Sequence, residues 1–446
     1  MFCRLATVAV ASASLTSIDE QIAAWGARAP PAFGRAMRSE FDMDPLYVNV
    51  NQGSYGCTPT KVRHVTEALV RETEWNPDLW FRFNISGDGD SHMTAMLART
   101  RALVASYIGA NVEDTVLVDN ASHGISAVLR SISANLPAGQ RGVLYLDLAY
   151  GEVKAALAFV GGVAPYNDTA SRDNDHELFE VATEHLFPGV TDDALVGAVA
   201  AALDAAGGRV GFAVFSHVVS TPGLVLPVAR LAALCRARGV RVLIDGAHAP
   251  GMLPLRMHEI DADYYVGNGH KHLFSSRGAA VLWAHPRAQR GLYPLVIDSG
   301  GLGTDFERAF AYQGTTDDNT RYIAVRAALA WREWAGGDAA IMDHNHELAL
   351  AACAALADMW GTEVLAPEMT AALCNVRVPC APEGCPDGFS LKLYRAHNFY
   401  APIFRFAGAD YVRLTAQIYN ELADFAYVGE KVLESLGIET ALTERA

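Results

Sequence analysis

The chain has 446 residues, of which 51% are hydrophobic and 19% charged, and this is the composition of a globular protein. Its formal net charge of −15 disfavours nucleic acid and anionic membranes as partners, because both require clustered lysine and arginine. No uninterrupted apolar run approaches the ~20 residues that span a bilayer. Seven cysteines without a CxxC pair argue against a disulfide framework or a zinc site, so a reducing compartment, the cytoplasm, is expected.

The first predicted element is a helix within TSIDEQIAAWG (residues 16–26), where Thr16 or Ser17 can cap the helix with Glu20 nearby. The stretch before it, MFCRLATVAVASAS, has one arginine and no acidic residue. Such a segment fits either a cleaved organelle or secretory targeting sequence or a frayed tail, and the sequence leaves both open.

Short apolar runs alternate with helical stretches from about residue 95 to 285. The predicted strands are 115–118, 142–148, 210–215, 240–245, 263–267 and 279–284. This alternation predicts an α/β fold with a mostly parallel sheet sandwiched by helices.

The pattern changes after residue 320. A helical stretch at 320–337 and short strands near NVRVP and YVRLTAQIY predict a smaller C-terminal α+β domain. The predicted division is therefore an N-terminal segment (1–58), a large domain (59–320) and a small domain (321–446).

Polar residues follow five of the predicted strands. The five segments are DNASHG, AYG, SHVVSTPG, DGAHAPG and NGHKH. In open α/β sheets, ligands bind beyond the carboxyl ends of the strands. These segments therefore predict one ligand site along that edge.

Three of these strand ends carry residues with both a structural and a chemical interpretation. Asp245 ends an apolar strand, where it either caps a helix or faces a cation. Lys271 is either a solvated lysine or a desolvated amine with a lowered pKa. The start of DNASHGI is either a capped helix or a phosphate cradle. Together the three features predict a pyridoxal 5'-phosphate enzyme: the lysine forms a Schiff base, the carboxylate keeps the pyridine nitrogen protonated, and the helix start holds the phosphate.

The segments DGAHAPG (245–251) and ADYYVGNGHKHLFSSRGAAVLW (262–283) resemble the class V aminotransferase family of fold-type I pyridoxal phosphate enzymes. FDMDPLYVNVNQGSYGCTP (41–59) is similar to a motif of its isopenicillin N epimerase-like branch. The resemblance continues through VDNASHGISAVLR, FSHVVSTPGLVLPV, YQGTTDDN and YVRLTAQIYN, and covers roughly residues 35 to 430.

The resemblance implies roles for the residues at the motif positions. Lys271 would be the Schiff-base lysine and the base that moves the α-proton, Asp245 the partner of the pyridinium nitrogen, and His248 a neighbour of the phenolic oxygen. Further cofactor contacts are implied for Ala121, Ser122 and His270 at the phosphate, Tyr150 on the ring, and Ser220 at a cofactor oxygen.

The resemblance also implies a substrate side and a homodimer. Arg413 would hold the substrate α-carboxylate with two parallel hydrogen bonds, with Asn51, Gly53 and Ser54 of the N-terminal segment beside it. Gly314 and Thr315 would reach the phosphate of the partner subunit. No metal is expected.

The reaction is less constrained by the motifs than the cofactor is. A carbon–sulfur β-lyase acting on a cysteine conjugate or its sulfoxide, including an ergothioneine-type lyase, is the first prediction. An amino-acid epimerase and a cysteine desulfurase are the alternatives, and a catalytically silent binding protein is a hypothesis of another class. A desulfurase needs a cysteine shortly before the arginine, but residues 386–413 contain none, and Cys380 and Cys385 lie about 30 residues before Arg413.

Overall fold

The computed structural model describes residues 17–82, 92–133, 135–162, 176–297, 305–311 and 317–438. Its strands are β1 (Thr115–Val118), β2 (Gly142–Leu146), β3 (Leu178–Val181), β4 (Val210–Ser216), β5 (Arg241–Asp245), β6 (Tyr264–Asn268), β7 (Ala280–Ala284), β8 (Leu373–Arg377), β9 (Ile403–Phe406) and β10 (Ala409–Thr415).

The helices of the first half are α1 (Ile18–Trp25), α2 (Gln52–Tyr55), α3 (Thr60–Trp75), α4 (Pro77–Arg82), α5 (His92–Tyr107), α6 (Ala121–Ser133), α7 (Gly151–Val160), α8 (Asp192–Ala205) and α9 (Val228–Arg236). Those of the second half are α10 (Met257–Ile260), α11 (Phe306–Ala311), α12 (Thr320–Ile323), α13 (Val325–Trp334), α14 (Asp338–Trp360), α15 (Phe389–His397) and α16 (Leu422–Leu436). Ser17 caps α1 in a capping box with Glu20, one of the two predicted caps.

The large sheet has the strand order β1-β7-β6-β5-β4-β2-β3. Six of these seven strands run in the same direction and β7 runs in the opposite one, so the predicted mostly parallel α/β fold is confirmed. The strand β3 was not predicted. It lies at the edge of the sheet and is only partly buried, so its sequence, LFEV, lacks the continuous apolar character of the central strands.

Successive residues of the central strands enter different hydrophobic clusters. Ala213 and Phe215 of β4 pack in one cluster with α8 and α9, whereas Phe212 and Val214 pack in another with α6 and α7. Side chains alternate across a strand, so this division means that helices cover both faces of the sheet.

A second sheet, with the antiparallel order β8-β10-β9, lies in the C-terminal part. Its core cluster includes residues of α14, α15 and α16. The N-terminal segment joins this region, because Val50 packs in the same cluster and its carbonyl accepts a hydrogen bond from the Thr415 N–H at 2.8 Å.

Four cysteines form disulfides, Cys353–Cys374 and Cys380–Cys385, and Cys57 and Cys235 are free. The sequence argued against a disulfide framework, and these two pairs contradict that expectation. Sequence spacing could not reveal the first pair, because Cys353 and Cys374 meet only when α14 packs against β8.

Along the described ranges, no helix combines the length and apolar character needed to cross a membrane.

Candidate active site

Lys271 and His248 meet at the carboxyl edge of the large sheet. Lys271 follows β6, and His248 follows the neighbouring parallel strand β5. The Lys271 Nζ lies 3.0 Å from the His248 Nε2. The parallel pairing of β5 with β6 brings these two loops to the same edge, as the strand-end pattern predicted.

Burial favours the neutral forms of the Lys271 amine and the His248 imidazole. It lowers the pKa of Lys271 to about 7, against the opposing effect of the Asp245 carboxylate. Burial, followed by the positive charge of Lys271, holds the pKa of His248 well below its ordinary value. A neutral amine is a nucleophile and a base, and the neutral imidazole beside it can exchange a hydrogen bond with it.

Asp245 ends β5 and is only 6% exposed. Its Oδ1 accepts a hydrogen bond from the Ala247 N–H at 3.0 Å, the one such bond to this side chain within the described ranges. Burial raises the pKa of Asp245, while Ala247 and Lys271 act in the opposite direction. A buried carboxylate that accepts a single hydrogen bond is stabilised by a cationic partner.

The helix start predicted as a phosphate cradle is the beginning of α6. The Asn120 Oδ1 accepts a hydrogen bond from the His123 N–H at 2.9 Å and thereby shapes the first turn. The Ala121 N–H already donates to the Asn268 Oδ1 at 2.8 Å, whereas the Ser122 side chain is exposed at the same turn. Of the two predicted contacts on this turn, Ser122 is therefore the more accessible to an anion.

His270 precedes Lys271 and has a buried Nδ1 with no hydrogen-bond partner among the described residues. Burial lowers the pKa of His270 to about 4, and the charges of Lys271 and Arg277 add to this effect. This nitrogen is therefore available for a hydrogen bond to a ligand bound next to Lys271.

Arg413 of β10 is 2% exposed and donates four hydrogen bonds to neighbouring residues. Its Nη1 donates to the Ser220 carbonyl at 2.8 Å and to the Ser220 Oγ at 3.2 Å. Its Nη2 donates to the Asn51 Oδ1 at 2.7 Å and to the Ser54 Oγ at 3.0 Å. The buried Nε has no partner among the described residues, so it is the one donor of this guanidinium that stays available to a ligand.

The structure therefore assembles the predicted substrate side around Arg413. Asn51 and Ser54 contact the arginine, and their own side chains are joined by a 2.8 Å hydrogen bond. Ser220, which the resemblance placed at a cofactor oxygen, contacts Arg413 instead. A Cβ on Gly53 would lie 3.1 Å from Leu373 and 3.3 Å from the His248 ring, so this position fits a glycine.

Tyr150 lies at the first residue before α7 and is 47% exposed. Its pKa is raised by burial and by Glu152, and the charges of Arg413 and Asp245 also act on it. Gly314 and Thr315 lie outside the described residues.

The residues present fit the predicted cofactor. The buried Asp245 suits a protonated ring nitrogen, Lys271 has an amine tuned for covalent attachment, and the unpartnered His270 nitrogen lies next to it in the chain. The first turn of α6 adds backbone N–H groups that suit a phosphate.

Three residues that contact this site were missed in the sequence. Gln52 and Arg332 donate hydrogen bonds to backbone carbonyls of the loop that carries Lys271, and Asn268 fixes the start of α6. Asn268 had a readable signal, since it ends a predicted strand beside the HKH motif. Arg332 had none, because it lies in a helix about 60 residues further along the chain.

Comparisons with known proteins identify sequences that this chain resembles. The family model "Aminotransferase class-V" matches residues 192–381. A protein of Oryza sativa subsp. japonica, provisionally named L-cysteine desulfhydrase 1, is 30% identical over 89% of this chain and 85% of its own length. The hercynylcysteine sulfoxide lyase of Schizosaccharomyces pombe is 27% identical, covering 90% and 97%. The isopenicillin N epimerase of Amycolatopsis lactamdurans is 27% identical, covering 89% and 97%.

Solved structures show the same fold. The cystine C–S lyase C-DES, in complex with cysteine persulfide, superposes with a TM-score of 0.71 at 19% identity, over 87% of this chain and 97% of that one. The apo cysteine desulfurase of Thermococcus onnurineus superposes with a TM-score of 0.73 at 16% identity, over 92% and 100%.

Proposed function

The chain belongs to the class V aminotransferase family and is an enzyme dependent on pyridoxal 5'-phosphate, and we propose that it is a carbon–sulfur β-lyase. Its substrate would be a cysteine conjugate or the sulfoxide of one. The names of several relatives, cysteine desulfhydrases and a sulfoxide lyase, support this reaction class.

The observation that favours a lyase over a desulfurase is the state of the cysteines. A desulfurase needs a reactive thiolate to take up sulfur, but Cys380 and Cys385, the pair that precedes Arg413, are bonded to each other. Burial raises the pKa of Cys57 to about 11 and that of Cys235 to about 12. Among the described cysteines, none is therefore a ready thiolate, and Cys3 lies outside the described residues.

We assign the chemical steps to residues of this chain as follows. Arg413 binds the substrate carboxylate, with its Nε as the available donor. Lys271 would accept the proton from the α-carbon, and Asp245 would stabilise a positive charge on the ring nitrogen of the bound cofactor. The bound cofactor supplies an electron sink for the α-carbon. The β-carbon–sulfur bond breaks with its electron pair leaving on sulfur, and the aminoacrylate product hydrolyses to pyruvate and ammonia.

The reaction class can be tested with a panel of substrates. The purified holoenzyme is incubated with cysteine, S-substituted cysteines, their sulfoxides and both enantiomers of common amino acids. Pyruvate released in equal amount to the sulfur fragment supports the lyase. Inversion without pyruvate would replace the proposal with the epimerase, and alanine formation would replace it with the desulfurase.

Cysteine variants provide an independent test of the same proposal. Cys380→Ser, Cys385→Ser and the double variant should keep most of the activity, because the leaving sulfur is already part of the substrate. Loss of turnover in a folded single variant, together with alanine as the wild-type product, would contradict the lyase assignment.

We further propose a homodimer in which Gly314 and Thr315 of one subunit serve the site of the other. Exposed apolar side chains such as Tyr293, Val296 and Ile297 are of the kind that subunit interfaces cover. The division at residues 58 and 320 and the cytoplasmic location also stay proposals. Two disulfides weigh against a reducing compartment, and one relative is named chloroplastic.

A further inference from the structure

The loop that carries Lys271 is held from outside at three successive carbonyl groups. This lysine loop comprises residues 269–279, between β6 and β7. The Lys271 carbonyl accepts a hydrogen bond from the Gln52 Nε2 at 2.7 Å, and the His272 carbonyl accepts one from the Arg332 Nη1 at 2.8 Å. The His270 carbonyl lies so close to Gly56 that a Cβ at that position would overlap it.

Both the nitrogen and the oxygen of the Gln52 amide form hydrogen bonds. Gln52 is 1% exposed, and its Oε1 accepts a hydrogen bond from the Tyr419 hydroxyl at 2.8 Å. The same hydroxyl accepts a hydrogen bond from the Asn49 Nδ2 at 2.8 Å. With its oxygen occupied by a donor, the amide can present only its N–H groups to the Lys271 carbonyl.

Arg332 connects the two loops that meet at the site. It lies in α13, is 1% exposed, and forms an ion pair with Asp338 through its Nε. Besides the His272 carbonyl, it donates to the Gly251 carbonyl through its Nη2 at 3.1 Å. Gly251 lies three residues after His248. One rigid guanidinium therefore fixes the chain beside Lys271 relative to the chain beside His248.

We propose that Gln52 and Arg332 are positioning residues that hold Lys271 against His248 for covalent attachment of the cofactor. A lysine side chain has four rotatable bonds, so its amine is placed accurately only if its backbone is fixed. A displacement of about 1 Å at a reacting group can cost on the order of 100-fold in rate. The inference rests on the proposed cofactor chemistry but is independent of the reaction that follows.

The test for Gln52 is its replacement by methionine, which keeps the length of the side chain and removes both hydrogen-bonding groups. Borohydride reduction followed by peptide mass analysis measures the fraction of cofactor attached to Lys271, and dilution measures the cofactor dissociation rate. We expect dissociation to be faster by roughly 10-fold or more. Asn345→Leu is the control, because Asn345 is equally buried and donates a 2.8 Å hydrogen bond to Gln417 instead.

Arg332→Met and Arg332→Lys test the second residue, with Arg326→Met as the control on the same helix. Arg326 is also buried but pairs with Asp19 of α1. We expect Arg332→Met to lower attachment at Lys271 and Arg332→Lys to recover part of it, since a lysine can hold one carbonyl but not two. Thermal unfolding is measured for every variant to separate a loss of fold from a loss of position.

The proposal is overturned if Gln52→Met and Arg332→Met attach and retain cofactor as the wild type does. It is also overturned if the control variants lose attachment to the same degree at equal loss of thermal stability. Attachment at another lysine, such as Lys154 or Lys392, would instead contradict the assigned site. A failed lyase assay with normal attachment would contradict only the reaction.

Discussion

A single carboxylate, Asp245, accounts for much of the chemistry assigned to this site. Asp245→Asn keeps the shape of the side chain and removes the charge that stabilises a protonated ring nitrogen. Removing one partner of a buried charge pair costs about 3–5 kcal/mol, so kcat/KM should fall by roughly 100- to 5,000-fold. Steady-state assay of the folded, cofactor-loaded variant measures this loss.

Asp263→Asn is the matched control for that variant. Asp263 is also 6% exposed, but it lies at the other end of β6 from the lysine loop. Its carboxylate accepts hydrogen bonds from the Val242 N–H and from the Arg287 side chain. We expect Asp263→Asn to lower thermal stability with kcat/KM of the folded protein little changed. Near-normal activity in Asp245→Asn would mean that Asp245 serves only to shape the turn after β5.

Lys271 should capture the cofactor with a pH dependence of its own. Only the neutral amine attacks an aldehyde, so the rate of attachment to the apo chain should rise as pH increases through about 7 and then level off. Asp245 raises the pKa of this amine and Arg413 lowers it, whereas His248 is neutral here. The midpoint should therefore shift to lower pH in Asp245→Asn. A rate that rises steadily to pH 10 would show an ordinary lysine.

Residues with a motif around them were the ones that the sequence could predict. Lys271 and His248 each follow a strand, and the structure joins them at 3.0 Å. The hydrogen bonds of Arg413 were not predictable in detail, because its partners Asn51 and Ser220 come from segments separated by more than 150 residues. Only the packing of the two sheets brings these segments together.

At the scale of elements, the N-terminal segment contacts the lysine loop through the short helix α2 and the residues after it. Gly56 has a φ of +70° and no room for a Cβ beside the His270 carbonyl. Gly56→Ala should therefore lower the free energy of unfolding by more than the about 1–2 kcal/mol that a left-handed backbone costs an alanine. It should also reduce the cofactor content. Denaturant unfolding and visible absorbance measure the two effects.

Gly207→Ala separates the two causes. Gly207 has a φ of +60°, and no atom lies within 4 Å of a Cβ at that position. It should show the backbone cost alone and keep its full cofactor content. Equal losses of stability and normal cofactor in both variants would mean that the contact with the lysine loop is unimportant.

The central strands were predictable because they are buried on both faces and read as continuous apolar runs. All seven residues of β4 are buried, and its predicted range differs from the observed one by a single residue. The strands β3 and β9 were missed, since both are short, partly exposed edge strands whose pairing depends on distant neighbours. The strands that are buried on both faces were therefore the ones that could be predicted from the sequence.

For the whole molecule, the proposed homodimer predicts that two inactive variants can restore each other. Lys271→Ala removes the attachment lysine, and Thr315→Glu places a negative charge where the partner's phosphate should bind. In a mixed dimer, one site takes Lys271 from the second chain and Thr315 from the first, so it is intact. Random mixing should recover roughly a quarter of the wild-type sites, because half of the dimers are mixed and each has one good site.

The control for this experiment is a mixture of Lys271→Ala with Asp245→Asn. Both residues serve the site of their own chain, as the common sheet edge of β5 and β6 requires, so no site in a mixed dimer is intact. Activity is measured after unfolding and refolding the mixed chains, with sedimentation to confirm that dimers form. Recovery in the first mixture alone supports a site shared across the interface. Absence of recovery in the first mixture although dimers form, or a monomeric active enzyme, would contradict it, because each chain would then complete its own phosphate site.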